Sequence, residues 1–377
     1  MRDSGEGPRR RRAGARPIPG SAEVPGSADL GAALPGGDTA RTSSGGEGDG
    51  RATIARVAAA AGVSRATVSR VMNGQRSVDP ELASRVRTAA ERLRYEPSAI
   101  AQSLARGRTG LVGIVVPDLA NPMFQAILRG VSDEAGAADH RVLVADTHED
   151  RDEEAILARE VRRRCDALVL CSPRMPDDEL AELLPGLAPV VLANRRLDAT
   201  TVPSVSIDHA SGMRAIAHHL TGLGHRRVAY LMGPGTSWAN RERLAALRWA
   251  AEERFSLLEL EAGAMFEDGF DNVDRAVAAG VTAIVGYNDL VAYGALARLY
   301  ELGVGVPDTV SVTGFDDIPF ARYATPPLTT VVIPKEDLGR EAWYRLAAML
   351  AGTEPPADAS FAPRLVVRAS TGPVGER

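Results

Sequence analysis

VAAAAGVSRATVSRVMN, residues 57–73, is a run of alanines, a Gly62-Val63-Ser64 break, and then arginine, threonine and serine set among valines. Val57, Ala58 and Ala61 share one face of a helix, and Thr53 stands where an N-cap belongs. Gly62 suits the residue that ends that helix. Ser64 caps a second helix whose Val68, Val71 and Met72 face inward, and Asn73-Gly74 closes it with a turn. Asp79-Pro80 opens a third, a cap followed by proline at the first helical position. Leu82, Val86, Ala89, Ala90 and Leu93 line one face of that helix, and Pro97 follows it. The outward positions of the second helix are Ser64, Arg65, Ala66, Thr67, Ser69 and Arg70. Hydroxyls and arginines suit phosphate oxygens, and arginine can fork onto the two major-groove acceptors of guanine. Two helices joined by a short turn containing glycine form the helix-turn-helix layout, whose second helix enters the major groove. Helix corners of this kind also occur in proteins that never meet DNA.

Charge separates this region from the rest. The 377-residue chain has a formal net charge of −5, yet residues 51–109 hold 11 arginines against four acids, a net of +7. Residues 1–50 carry seven charges of each sign, which leaves −12 on residues 110–377. A small basic module on a large acidic body fits a nucleic-acid-binding head; chance clustering in an arginine-rich chain is the plainer account. Lys335 is the single lysine. Residues 1–50 are Gly, Pro, Ser, Ala and charge without apolar periodicity, so they are expected to be disordered. Arg9–Arg12 either adds weak phosphate affinity or belongs to a solvated tail or an overlong reading frame.

The hydrophobic fraction of 45% supports real cores, and 5% aromatic content makes them aliphatic. Cys165 and Cys171 have neither disulfide nor zinc spacing and are expected as buried thiols. No apolar run approaches a membrane span and no signal peptide is visible, so the chain is expected in the cytoplasm. Beyond Thr109, strand-like runs at 111–116, 141–145, 167–170, 190–193, 202–207, 227–232, 283–286, 310–314 and 328–333 alternate with helical stretches. Those stretches include 123–137, 153–163, 209–223, 240–255, 289–302 and 335–350. This alternation predicts open parallel sheets flanked by helices, and nine strands suggest two similar lobes. Such sheets bind ligands at the carboxyl ends of their strands. Asp118, Asn121 and Phe124 follow the first of these strands and Asn194 another. Arg243 lies near a helix start, Asn288-Asp289 follows Gly286, and Asp316-Asp317 follows a further strand. Asn121-Pro122 also reads as a plain turn and Asp289 as a helix cap.

TIARVAAAAGVSRATVSRVMN (53–73), followed by VDPELASRVRTAAERLRYEPSAIAQSLA (78–105), closely resembles the DNA-binding head and hinge of the LacI/GalR family of bacterial transcription regulators. GIVVPDLANPMF (113–124), YNDLVAYGAL (287–296) and the closing RLVVRAS (364–370) resemble its effector core, and the resemblance spans essentially all of 51–373. It implies an all-α helix-turn-helix head plus a two-lobed α/β core like the periplasmic binding proteins, crossed three times by the chain. The implied boundaries are 51–97 for the head and 98–109 for a hinge helix. One lobe is then 110–209 with 335–361, and the other 210–334 with 362–373. By the same resemblance Arg65, Ala66 and Arg70 read bases, while Ser64, Thr67, Ser69 and Asn73 meet phosphates. Leu104 is a minor-groove wedge, and Ala101 permits close approach of paired hinges. Arg243, Asn288 and Asp316 hydrogen-bond the effector, while Asn121, Phe124 and Asn194 line its pocket. Arg56 departs from the family, which usually has an acid there. That removes a capping-box partner for Thr53 and either weakens the first helix or adds a phosphate contact. The segment Glu261–Phe270 is short for the family, and Met265 or Phe266 stands in for a missing aromatic. Trp238 is a stacking platform or a surface aromatic.

These readings converge on a homodimeric regulator, most often a repressor in this family. It would bind a near-palindromic operator at the nucleoid, under the control of a small effector such as a sugar, with neither cofactor nor metal. The absence of a heptad repeat near the end argues against a tetramerisation helix. Enzymatic readings have little support: Lys335 has no Walker loop before it, Gly233-Pro-Gly235 lacks the third glycine of a dinucleotide fingerprint, and H-E-x-x-H and G-x-S-x-G are missing. His218-His219 reads as part of a half-buried helix face. A ligand carrier without a DNA role would need a signal peptide and no basic head. A sugar-processing enzyme is the more distant alternative.

Overall fold

A computed structural model describes residues 53–73, 78–95, 108–198, 200–252 and 254–375. The expected tail at 1–50 and the hinge positions Ala101 and Leu104 lie outside the described residues. Helices α1 (Ile54–Ala61), α2 (Arg65–Met72) and α3 (Pro80–Arg92) pack around Val57, Val68, Val71 and Val86. Thr53 caps α1, Ser64 caps α2 and Asp79 caps α3. Gly62 takes the left-handed conformation (φ 66°) that ends α1. Arg85 of α3 donates to the Ala61 carbonyl at 2.6 Å, so a terminal carbonyl of α1 is satisfied across the bundle.

The core contains two parallel sheets. The first is ordered β11-β5-β4-β3-β1-β2, from β1 (Leu111–Val116), β2 (Arg141–Asp146), β3 (Ala167–Cys171), β4 (Val190–Ala193), β5 (Ser204–Ile207) and β11 (Ala359–Phe361). The second is ordered β7-β6-β8-β9, from β6 (Arg227–Met232), β7 (Ser256–Glu261), β8 (Ala283–Gly286) and β9 (Ser311–Thr313). A separate antiparallel pair joins β10 (Thr330–Val332) to β12 (Arg364–Val366). Strand β3 shows the two-sided burial of such sheets: Ala167, Val169 and Cys171 face one hydrophobic cluster, Leu168 and Leu170 the other. The cysteines are free and buried, and burial pushes their thiols up to about 11 at Cys165 and about 12 at Cys171.

Helices α4 (Pro122–Ala137), α5 (Arg151–Arg164), α6 (Asp177–Leu183) and α11 (Lys335–Ala351) cover the first sheet. Helices α7 (His209–Gly222), α8 (Trp238–Ala251), α9 (Phe266–Ala278) and α10 (Asp289–Glu301) accompany the second. The structure adds β7, β11, β12, α6 and α9 to the expected elements. The helical stretch expected at 240–255 ends early, at Ala251 of α8, and β7 starts at Ser256. The strands expected at 202–207, 310–314 and 328–333 are shorter, because ladder pairing covers only Ser204–Ile207, Ser311–Thr313 and Thr330–Val332.

Each half has one helix pair crossing on glycines. A Cβ on Gly130 of α4 would lie 2.1 Å from the Glu336 carbonyl oxygen, and one on Gly339 of α11 2.2 Å from that of Ile127. In the other half, a Cβ on Gly269 of α9 or on Gly294 of α10 would lie 1.9 Å from the Val291 or Phe266 carbonyl oxygen. We expect Gly294→Ala to destabilise by about 1–3 kcal/mol or more, since the obstacle is backbone. Gly136→Ala, at a helical position with open space, should stabilise by up to about 1 kcal/mol. Urea unfolding of the two variants checks this, and the same sign for both would refute the close-crossing account.

Candidate functional site

On α2 the structure exposes Ser64, Arg65, Ala66 and Arg70 and half-buries Thr67 and Ser69. Ser64 Oγ accepts from the Thr67 backbone N–H at 3.1 Å, and its hydroxyl pairs with that of Thr67 at 2.9 Å. Asn73 donates to Ser69 Oγ at 3.3 Å. The ridge is therefore held by its own polar groups while Val68 and Val71 fix the helix from behind. Arg56 is exposed, and Thr53 still caps α1 by accepting from the Arg56 N–H at 3.4 Å.

In the core, Asn121, Phe124, Asn194, Arg243, Asn288 and Asp316 all line one space between the two sheets. Glu149, Ser172, Arg174 and Tyr287, which the sequence reading did not single out, line it too. Ser172 directly follows β3, Asn194 follows β4 and Tyr287 follows β8, so the site forms where carboxyl ends of both sheets face each other. Four of its non-glycine residues have positive φ: Glu149 at 60°, Ser172 at 49°, Asn194 at 54° and Asp316 at 105°. Such backbone costs about 1–3 kcal/mol per residue and clusters at ligand sites. A strand followed by a polar residue was the available signal for Ser172, but alternation alone does not tell a lining residue from a surface turn.

The cavity is only about 10 Å³, because its polar groups meet one another. Arg243 donates to the Tyr287 carbonyl at 2.5 Å, to Asp316 Oδ1 at 3.3 Å and to His209 Nδ1 at 3.3 Å. Its guanidinium lies 3.6 Å over the Phe315 ring centroid. Arginine only donates, so His209 Nδ1 accepts and the proton sits on Nε2, which bonds Asn194 Oδ1 at 3.1 Å. Asn194 Nδ2 then donates to Ser172 Oγ at 2.8 Å. Asn121 and Asn288 double as helix caps, accepting from the Met123 and Val291 N–H groups. The cap of α10 is thus Asn288; Asp289 instead accepts from Thr330 Oγ1 and the Ile318 N–H. Lys335 donates to the carbonyls of Asp316 and Asp317 at 2.5 and 3.1 Å and so holds the turn that aims Asp316. Trp238 is half-buried and meets His209 edge-on, their centroids 5.5 Å apart.

Phe266 is a correction. It joins Tyr300, Phe320 and Tyr323 in an exposed apolar hollow of about 520 Å³ away from the cleft, because it starts α9 on the outer side. His218 is exposed and His219 half-buried, its Nε2 2.9 Å from Thr371 Oγ1. Among the described residues, no cluster of His, Cys, Asp and Glu could hold a metal ion, and no helix is long and apolar enough to cross a membrane.

Comparison with known proteins gives consistent matches. A family described as bacterial regulatory proteins, lacI family, matches residues 53–98, and a periplasmic binding protein-like domain matches 217–371. The chain is 34% identical over 328 residues to the HTH-type transcriptional regulator GalR of Salmonella typhimurium, covering 85% of this chain and 96% of that protein. It is 29% identical over 308 residues to the HTH-type transcriptional repressor CytR of Escherichia coli, covering 80% and 90%. Of solved structures, the lac repressor dimer bound to operator and the anti-inducer ONPF aligns with TM-score 0.76 at 26% identity, covering 85% of this chain and 99% of that one. A transcriptional regulator CelR–cellobiose complex aligns at 0.63 with 31% identity, covering 85% and 100%.

Burial lowers the proton affinity of His209, aided by Arg243, and lowers that of His225, whose ring bonds Thr282 Oγ1 and the Gly372 carbonyl. Unfolded, both titrate near 6.5. Their contribution to stability is present above that value and is lost as pH falls towards the lowered native values, because the unfolded chain binds the protons first. Burial raises Asp289 and Asp316, so their contribution runs the other way and is lost as pH rises through the raised values. The melting temperature of His225→Gln should therefore fall less than that of wild type between about pH 7.5 and about pH 5.5. Parallel profiles would show that His225 is not a contributor.

Proposed function

The chain belongs to the lacI family of bacterial regulatory proteins, as a DNA-binding transcriptional regulator with an effector-binding core, and from that premise we propose that it is a homodimeric repressor controlled by a sugar. The observation that carries the DNA half is the α2 ridge, which exposes Arg65, Ala66 and Arg70 on a helix whose other face is packed. Arg65, Ala66 and Arg70 are assigned to base edges, and Ser64, Thr67, Ser69 and Asn73 to phosphates. Leu104, with Ala101 beside the groove, is assigned to minor-groove insertion. Protein two-fold symmetry then asks for a near-palindromic site. The exposed aromatics Tyr300, Phe320 and Tyr323 support pairing of two chains through the second half of the core. Residues 110–209 with 335–361 and residues 210–334 with 362–373 are taken as the two lobes, and the protein acts at the nucleoid.

The effector half rests on the cleft. Arg243, Asp316, Asn121, Asn194 and Asn288 offer donors and acceptors on both sides of one space, beside Phe124. Hydroxyls that both donate and accept suit such a set. The similar regulator CelR is in complex with cellobiose. Effector binding and operator binding are then coupled through the lobes. The relatives are regulators rather than enzymes.

Fluorescence anisotropy on DNA upstream of the chain's own gene, with and without pooled sugars, tests the proposal. Specific binding should weaken steeply with salt. Arg65→Ala should cost about 1–3 kcal/mol on the preferred site and relax base preference. Leu104→Ala should weaken operator binding and leave effector binding intact. Asp316→Asn should abolish the sugar response and keep operator binding. Operator affinity unchanged in both Arg65→Ala and Leu104→Ala, or no specific binding to any nearby promoter, would refute the assignment.

A further inference from the structure

The turn between β3 and α6 reaches across the cleft at two points. Arg174 is anchored on its own side, its guanidinium meeting the Glu149 carboxylate through two bonds of 2.6 and 2.7 Å. The backbone N–H groups of Arg174 and Met175 donate to buried Glu154 at 2.8–3.0 Å. Arg174 is 3% exposed, so this anchor is shielded from solvent and salt. Its Nη1 donates both to the Ser172 carbonyl on its own lobe and to Ser237 Oγ on the opposite lobe, each at 3.3 Å. Ser237 is fixed in turn, bonding the Tyr287 hydroxyl at 2.9 Å and capping α8 through the Asn240 N–H. Three residues on, Asp177 is shared between Arg195 of its own lobe, at 2.5 Å, and Arg241 of α8, at 3.1 and 3.2 Å.

Both cross-cleft bonds land on the start of α8, Ser237 and Arg241 being one turn apart. The same turn leads to Arg243. We infer that Arg174 and Asp177 form a two-point clasp on α8 that sets how far the lobes stand apart, with Glu149 and Arg195 as positioning residues. The two points differ in kind. Arg174–Ser237 is buried and has a rigid donor. Asp177–Arg241 is about half exposed on each side and works as a rim contact open to screening. Widening the cleft would break both, and it would move Arg243 relative to Asn194 and Ser172. The inference concerns lobe separation alone and stands or falls apart from the identity of any effector.

The test is a distance between lobes in the full chain. Spin labels go on Asp152→Cys of α5 and Ala245→Cys of α8, both exposed, while Cys165 and Cys171 are buried and take no label. Dilution with excess unlabelled chain leaves only distances within one chain. Double electron–electron resonance should give one narrow distance for otherwise wild-type protein. The pair R174Q/D177N should give a longer, broader one. R241Q, which alters only the half-exposed partner on α8 and should fold normally, should shift the distribution in the same direction by less. A wild-type distance retained in both variants would overturn the clasp, as would a broad distribution in the parent.

Discussion

A directed line of hydrogen bonds runs through the cleft from one half of the core to the other. Lys335 and Arg243 hold Asp316, Arg243 donates to His209, His209 to Asn194, and Asn194 to Ser172. Arginine at one end cannot accept, so each donor role along the line is dictated by the one before it. The Arg243–Asp316 pair is 2% and 3% exposed, and removing such ions from water costs several kcal/mol each. That cost is offset only because Arg243 spends its donors on three acceptors and faces Phe315. A core selected for stability alone would fill this space with apolar side chains. Retaining charge here is what a ligand-recognition site requires.

The strand-end turns follow from the same constraint. Glu149, Ser172, Asn194 and Asp316 adopt positive φ so that their side chains turn into the space between the sheets. The surroundings hold these turns in place. Lys335 binds the carbonyls of Asp316 and Asp317, and Arg368 binds the Asp317 carboxylate at 2.7 Å. In a chain with 44 basic residues, the one lysine sits where a compact ammonium must reach two carbonyls of a tight turn. Behind the turns, the glycine crossings bring α4 onto α11 and α9 onto α10 at backbone distance. Each side of the cleft is therefore closely packed within itself, and lobe separation is the motion that the proposed coupling would use.

The head follows a different logic. Its three helices are short, so their stability comes from caps and from a small shared core rather than from length. All three caps were legible, because Thr53, Ser64 and Asp79 each stand next to an apolar periodicity. Buried Val57, Ala58, Ala61, Val68, Val71 and Val86 were legible for the same reason. In the core, strands such as 111–116 and 190–193 were visible as continuous apolar runs. The edge strand β7 was not: Ser256–Glu261 interleaves leucine with glutamate and follows a helix without a strong stop signal.

The sequence by itself determined the kind and order of most elements and the chemistry of the outward face of α2, because these depend on spacings within a few residues. It also marked Asn121, Phe124, Asn194, Arg243, Asn288 and Asp316, since motif and strand end coincide at most of them. Only the tertiary structure decided that Glu149, Ser172, Arg174 and Tyr287 join them, that Phe266 turns away to an outer hollow, and that His209 is a neutral relay. Those outcomes depend on contacts between residues far apart in the chain, such as Arg243 with Asp316 or Arg174 with Ser237. Burial and partner geometry then fix protonation and orientation, and neither is encoded in local spacing.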